Sequence, residues 1–210
     1  ICFLSGCSRP AVLPKLLVVI NVPGLSELNQ NHQRDLAQAG FKNFRLKQNQ
    51  KFSSPALLSM NIWSGKTANK HGIVAKQWWD SKNNQLVSAT DDIVHGQAPL
   101  ALESLLIGDY LQRQYYQSKV FSVGYENIAA ILAGGQKATS AVWLDARQTE
   151  FVTSPYYNHH LFWLKGFNDR LNRAQPPFLK ILELAKTLID QEELGQDSIP
   201  DVLNKIGRAS

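Results

Sequence analysis

The sequence predicts an α/β domain with a largely parallel central sheet and helices on both faces. Two apolar runs rich in β-branched residues, at 15–20 and 119–123, read as strands covered on both sides. Segments of helical periodicity, such as 99–117, lie between the strand signals. Strand and helix signals alternate along the chain instead of segregating, and that order favours a layered α/β arrangement.

Residues 15–20, bounded by Pro14 and by Pro23-Gly24, are expected to form a central strand. Residues 25–39 carry Leu25, Leu28, His32, Leu36 and Ala39 at helical spacing and stop at Gly40, a good residue just past a helix end. A second short strand is expected at 41–46. Ser54-Pro55 then reads as a helix start, with Ser as N-cap and Pro at the first helical position. That helix runs to about Trp63 and stops at Gly65. Residues 76–95, rich in Asn, Asp, Lys and Trp, suggest a loop with a short hairpin. The 99–117 segment predicts an amphipathic helix presenting Leu102, Leu105, Leu106, Tyr110 and Leu111. An outer strand pair is expected at 138–143 and 151–153, a helix at 160–173, and a last helix at 178–194 after Pro176-Pro177. There is no internal repeat, low-complexity tract or clear linker.

With 210 residues, 44% hydrophobic and 19% charged, the chain is long enough and apolar enough to bury a core, which excludes a disordered segment. The net charge of +5 comes from scattered Lys and Arg, so no nucleic-acid footprint is indicated. Both cysteines lie in the first seven residues, leaving the body without a disulfide or a Cys-based metal site. Ile1-Cys2-Phe3-Leu4-Ser5-Gly6-Cys7 resembles the end of a bacterial lipoprotein signal, with Leu4-Ser5-Gly6-Cys7 as the lipobox and Cys7 as the lipidated residue. The apolar part is too short to span a bilayer. Residues 1–7 are therefore read as the end of a signal and 8–210 as the domain. An extracytoplasmic, lipid-anchored location is implied, and Ser8 fits sorting to the periplasmic face of a Gram-negative outer membrane.

A series of short motifs carries a family resemblance. It includes Ala39-Gly40-Phe41, Ile62-Trp63-Ser64-Gly65, His71-Gly72-Ile73, Trp78-Trp79-Asp80, Thr90-Asp91-Asp92, Ile107-Gly108-Asp109 and Ala130-Ile131-Leu132. In order and spacing these resemble the alkaline phosphatase superfamily over residues 14–170. Within it they resemble the type I phosphodiesterase/nucleotide pyrophosphatase group, and most strongly the phosphate-irrepressible alkaline phosphatases. The resemblance implies a metal-dependent phosphate mono- or diesterase fold, with two zinc ions at the carboxyl ends of the strands and a hydroxyl nucleophile opening a helix.

At the positions the resemblance identifies, this chain departs from the family. The first-strand metal ligand, an Asp in the family, is Asn21, a weaker zinc ligand. The nucleophile position, sixteen residues before His71, is Pro55, which has no hydroxyl. The phosphate-binding Asn five residues after His71 is Lys76. The family's Lys-Asp-Arg is Glu126-Asn127-Ile128, so a phosphate ester would meet an acid in place of an Arg fork. The remaining family ligands belong to the second half of those enzymes, and residues 185–210 resemble the helix and strand that precede them. The domain is thus read as an incomplete one, either a fragment or a product of gene decay.

Several residues carry two readings each. Ser54 is a displaced nucleophile or an N-cap hydroxyl, and Lys76 an anion ligand or a solvated cation. His159-His160 looks like a metal pair, but neighbours on an extended chain point to opposite faces, which favours a surface loop. Trp78-Trp79 could stack on a sugar or base, or simply pack. In the resemblance His71 is a structural turn residue. The functional expectation is a catalytically impaired lipoprotein that binds. The alternative is an active zinc enzyme using Ser54 with ligands from a C-terminal extension.

Overall fold

The computed structural model describes residues 14–21, Arg34, Gln38 and 55–206, with Arg34 and Gln38 in helical conformation. Cys7, Ser54, the strand expected at 41–46 and most of the helix expected at 25–39 lie outside the described residues. Five strands form one sheet in the order β1 (Leu16–Asn21), β9 (Asp201–Ile206), β6 (Val120–Gly124), β7 (Ser140–Leu144), β8 (Phe151–Thr153). The first four run parallel, and β8 is antiparallel to β7. Two hairpins stand apart: β2 (Gln77–Asp80) with β3 (Gln85–Ser88), and β4 (Asp91–Asp92) with β5 (Gly96–Gln97). The helices are α1 (Pro55–Ser64), α2 (Ala68–His71), α3 (Ile107–Gln114), α4 (Asn127–Gly134), α5 (Leu164–Arg170) and α6 (Pro177–Gln191).

Alternation along the strands sorts side chains to two faces. Phe121, Val123, Val142, Leu144 and Leu203 pack against α5 and α6 in the largest core cluster. In α6 the buried residues Ile181, Leu184, Ala185 and Leu188 recur at helical spacing, and Pro177 opens the helix at its first position. On the opposite face Val120, Ala141, Trp143 and Val202 meet Ala130 and Ile131 of α4. Met60 and Trp63 of α1 extend that layer against Leu132, Ala133 and Ile206. Helices therefore cover both faces, as the sequence predicts.

Small residues set how closely α4 sits. A Cβ at Gly124 would lie 3.0 Å from both Cβ and N of Ala130, and one at Gly134 would lie 3.1 Å from Cβ of Ala138. The same face holds two buried polar residues that are register partners, Ser122 of β6 and Asn204 of β9. Asn204 Nδ2 donates to the Ala133 carbonyl at 2.8 Å, while Asn204 Oδ1 and Ser122 Oγ are buried without a partner. On the other face, buried Lys180 of α6 donates to the carbonyls of Gln148 (2.8 Å) and Arg173 (2.9 Å) and so ties two turns to the helix.

Three expectations need correction. The first strand is not central among the described residues, since β1 pairs only with β9 and leaves Leu17, Val18 and Ile20 38%, 43% and 59% exposed. The helix expected at 99–117 spans only Ile107–Gln114. Leu102 and Leu106 do reach the core, but from a turn and the irregular segment after it, which Gln136 holds by donating to the Pro99 and Leu102 carbonyls, so their helical spacing was coincidental. The helix expected at 160–173 shrinks to Leu164–Arg170, with Leu161 and Leu171 buried from its flanks. Helix α4 had no counterpart in the sequence reading.

Gly108 in α3 gives a test of close packing. A Cβ there would meet Val120 Cγ1 at 2.6 Å. Gly108→Ala is expected to lower unfolding free energy by about 1–3 kcal/mol through overpacking, despite alanine's higher helix propensity. Urea denaturation measures the loss, and adding Val120→Ala is expected to recover part of it.

Candidate functional site

In open α/β sheets, chemistry gathers beyond the carboxyl ends of the strands. Here β1 ends at Asn21, β6 leads through Gly124-Tyr125 to Glu126 at the start of α4, and β7 leads into Asp145. Glu126 is the N-cap residue of α4, in extended conformation and with no side-chain cap bond. Its carboxylate instead meets Lys76, which sits between α2 and β2: Lys76 Nζ lies 3.0 Å from Glu126 Oε2. Both side chains are substantially exposed, so the pair contributes only about 0–1 kcal/mol. Its importance is chemical, because the cation and the acid at two of the phosphate-binding positions implied by the resemblance engage each other.

Asp145, at the end of β7, is committed to its own turn. Its carboxylate accepts the backbone N–H groups of Arg147, Thr149 and Glu150 and the Thr149 hydroxyl. Partial burial raises its pKa, but the N–H donors from Glu150, Thr149 and Arg147 outweigh that and hold it below the usual carboxylate value. Tyr125 closes the same corner by accepting from the Gln148 side chain.

The turn after α2 explains the His71-Gly72-Ile73 motif. His71 is fully buried; its Nδ1 accepts the Ile73 N–H (3.2 Å), which leaves Nε2–H to donate to Asn61 Oδ1 of α1 (2.8 Å). Gly72 caps α2 in the left-handed region at φ 80°, and a Cβ there would come within 2.9 Å of the Ala101 carbonyl oxygen. Ile73 is buried beside Trp63 and Met60. The motif is a brace that fixes α1 against the 101–103 segment.

Gln97 of β5 is a second joint. Its Nε2 donates to Asp91 (2.6 Å), and its Oε1 accepts from Thr90 (2.8 Å) and from Asn127 at the start of α4 (2.7 Å). Its backbone carbonyl accepts the Ser154 hydroxyl. The β4–β5 hairpin is thereby fastened to the carboxyl edge.

The other sequence candidates are placed apart. Trp78 packs against the α1 core cluster, whereas Trp79 is 58% exposed opposite Leu86 in the hairpin register. His159 Nε2 bonds Glu192 Oε2 at 2.8 Å, and His160 stacks obliquely near Phe162, so the two imidazoles serve different neighbours. Pro55 opens α1, and Ser54 lies outside the described residues. Among the described residues no group of three or more His, Cys, Asp or Glu could hold a metal ion. The carboxyl edge offers a neutral amide at Asn21, an acid paired with a lysine and an acid spent on a turn, and this donor set does not fit a zinc pair. Among the described residues no helix is long and apolar enough to cross a membrane. The residues were visible in the sequence, but the pairing of Lys76 with Glu126 and of Gln97 with Asn127 had no sequence signal, since each links segments about 30 to 50 residues apart.

Burial holds the His71 pKa below its ordinary value of 6.5. As pH falls, the unfolded chain takes up that proton before the folded one does. The contribution is therefore full above about pH 6.5 and is lost as pH drops from there toward the folded-state pKa. Urea melts between about pH 7 and about pH 5 are expected to show falling stability, and His71→Gln is expected to flatten that slope.

No family model matches the chain. Over 128 residues it is 30% identical to alkaline phosphatase PafA of Elizabethkingia meningoseptica, which covers 55% of this chain and 23% of the relative. Over 120 residues it is 26% identical to alkaline phosphatase PhoV of Synechococcus elongatus, covering 51% of this chain and 22% of that one. The crystal structure of wild-type PafA superposes with a TM-score of 0.79 at 20% identity, covering 92% of this chain and 52% of the other. The matched region thus spans about half of the PafA structure and under a quarter of each curated relative's sequence.

Proposed function

The chain corresponds to the N-terminal portion of an alkaline phosphatase superfamily domain, and from that premise we propose that it is a non-hydrolytic member, a lipid-anchored protein that binds rather than cleaves. The observation that carries this reading is the Lys76–Glu126 ion pair at the carboxyl edge. A phosphate ester entering there would have to draw Lys76 from Glu126 and then sit beside that carboxylate, a repulsion where an Arg fork would attract. Pro55 and Asn21 support the same reading, because neither an attacking hydroxyl nor an anionic metal ligand stands at those positions. A retained fold with its edge residues bonded to one another suits a surface that holds a protein.

The deciding experiment is hydrolysis of an aryl phosphate and of its diester by folded protein with added zinc, beside Ser54→Ala. The expected result is no turnover above blank from either protein. Zinc-dependent turnover that disappears in Ser54→Ala would overturn the proposal and establish Ser54 as the nucleophile of a working hydrolase. The lipid anchor has its own check. Bacterial cells expressing the full precursor are expected to incorporate labelled palmitate into the protein, and Cys7→Ser is expected to abolish the label.

A further inference from the structure

We propose that a cleft at the opposite, amino end of the sheet binds a small organic anion, a carboxylate or phosphate carried on a flat ring. The cleft has a volume of about 490 Å³ and lies between the loop from α4 to β7 and the loop after β8. That volume falls within the usual range for small-molecule sites. Nothing in the carboxyl-edge reading bears on it.

The walls are rigid, and their own polar groups are mostly spent internally. Tyr157 is buried, its hydroxyl donates to the Gly135 carbonyl, and its ring stands edge-to-face with Tyr156 at a centroid distance of 5.1 Å. Tyr156 donates to the Gln136 carbonyl (3.0 Å) and meets the His95 ring edge-on at 5.4 Å. His95 is in turn held by Asp92 at 2.7 Å. Buried Asp109 accepts the Leu106 and Lys137 N–H groups and so fixes the loop on the α4 side. On the far side Glu192 is shared between His159 and Trp163. Tyr157 is 5% exposed and serves as backing, so the partly exposed Tyr156 ring is the aromatic surface on offer, held in place with little ordering cost.

The groups left over include one cation and two further donors, beside the side-chain carbonyls of Gln136 and Asn158. The Lys137 ammonium has no hydrogen-bond or ion-pair partner among the described residues, and neither has the Asn158 amide. Thr139 Oγ1 accepts the Val120 N–H at 2.9 Å, which leaves its own O–H to donate. One cation and two neutral donors line the cleft, and both nearby carboxylates, Asp109 and Glu192, already accept from other groups. An anionic head would pair with the Lys137 ammonium and draw on the neighbouring donors, and a ring attached to it would pack on Tyr156.

Calorimetric titration with benzoate, phenyl phosphate, inorganic phosphate and benzyl alcohol tests the site. Saturable binding is expected for one or both ring-bearing anions, weaker binding for inorganic phosphate and none for benzyl alcohol. The stronger of the two ring anions identifies the preferred head group. Lys137→Glu is expected to weaken that binding about tenfold or more, as befits loss of a charge-assisted bond. Asn158→Leu should weaken it in the same direction, and Lys76→Ala should leave it unchanged. Lys137 and Asn158 are exposed, so both variants are expected to melt as the parent does. Absence of saturable binding, an unchanged affinity in Lys137→Glu, or loss of binding in Lys76→Ala would overturn the proposal.

Discussion

The close seating of α4 on the sheet is the constraint from which the rest follows. Eight residues with Ala129, Ala130, Ala133 and Gly134 among them lie against β6, β7 and β9, whose facing positions include the small residues Ser122, Gly124 and Ala141. A larger residue at Gly124 or Gly134 would push backbone from backbone, since the added carbon meets neighbours at 3.0 to 3.1 Å. Because the helix can sit only at this height, both of its ends are fixed. Its start delivers Glu126 and Asn127 to the carboxyl edge, and its end delivers Gly135 to Thr139 to the amino-end cleft.

At the carboxyl edge, residues that would be available to a ligand are bonded to one another. Glu126 has Lys76, Asp145 has its own turn, and Asn127 has Gln97. Preorganised sites normally leave donors or acceptors aimed at empty space, because satisfying them internally removes the energy available for binding. The amino end shows the reverse pattern, with buried supports satisfied and the Lys137 ammonium and Asn158 amide on the rim left without partners among the described residues. The two ends of one helix thus differ in what they have to offer a small molecule.

Much of the fold was legible from the chain. The apolar runs marked β1 and β6, the Pro176-Pro177 pair marked the start of α6, and the outer strand pair expected at 138–143 and 151–153 is β7 and β8. Helix α4 was not legible because Ala130 to Gly134 are buried in an unbroken run, which erases the periodicity that identifies a helix. The segment before α3 was misread for the converse reason. Leu102 and Leu106 have helical spacing, yet Leu102 closes a turn whose carbonyl is bonded by the Gln136 amide 34 residues away. The family resemblance correctly anticipated the sheet. It gave no sign that Lys76 and Glu126 are partners, since that pairing exists only once the turn after α2 faces the start of α4.

The buried pair of Ser122 and Asn204 acts on register. Sliding β9 by two residues against β6 would preserve the alternation of inward and outward side chains, so apolar burial alone would hardly oppose it. Such a slip would carry the Asn204 amide away from the Ala133 carbonyl and strand a buried donor. It would also set the amide level with Val120 or with Gly124, at positions that apolar Val202 and Ile206 otherwise fill. One asparagine in an otherwise interchangeable parallel sheet therefore acts as an alignment key, and the strand that bears it is the one between β1 and the rest of the domain.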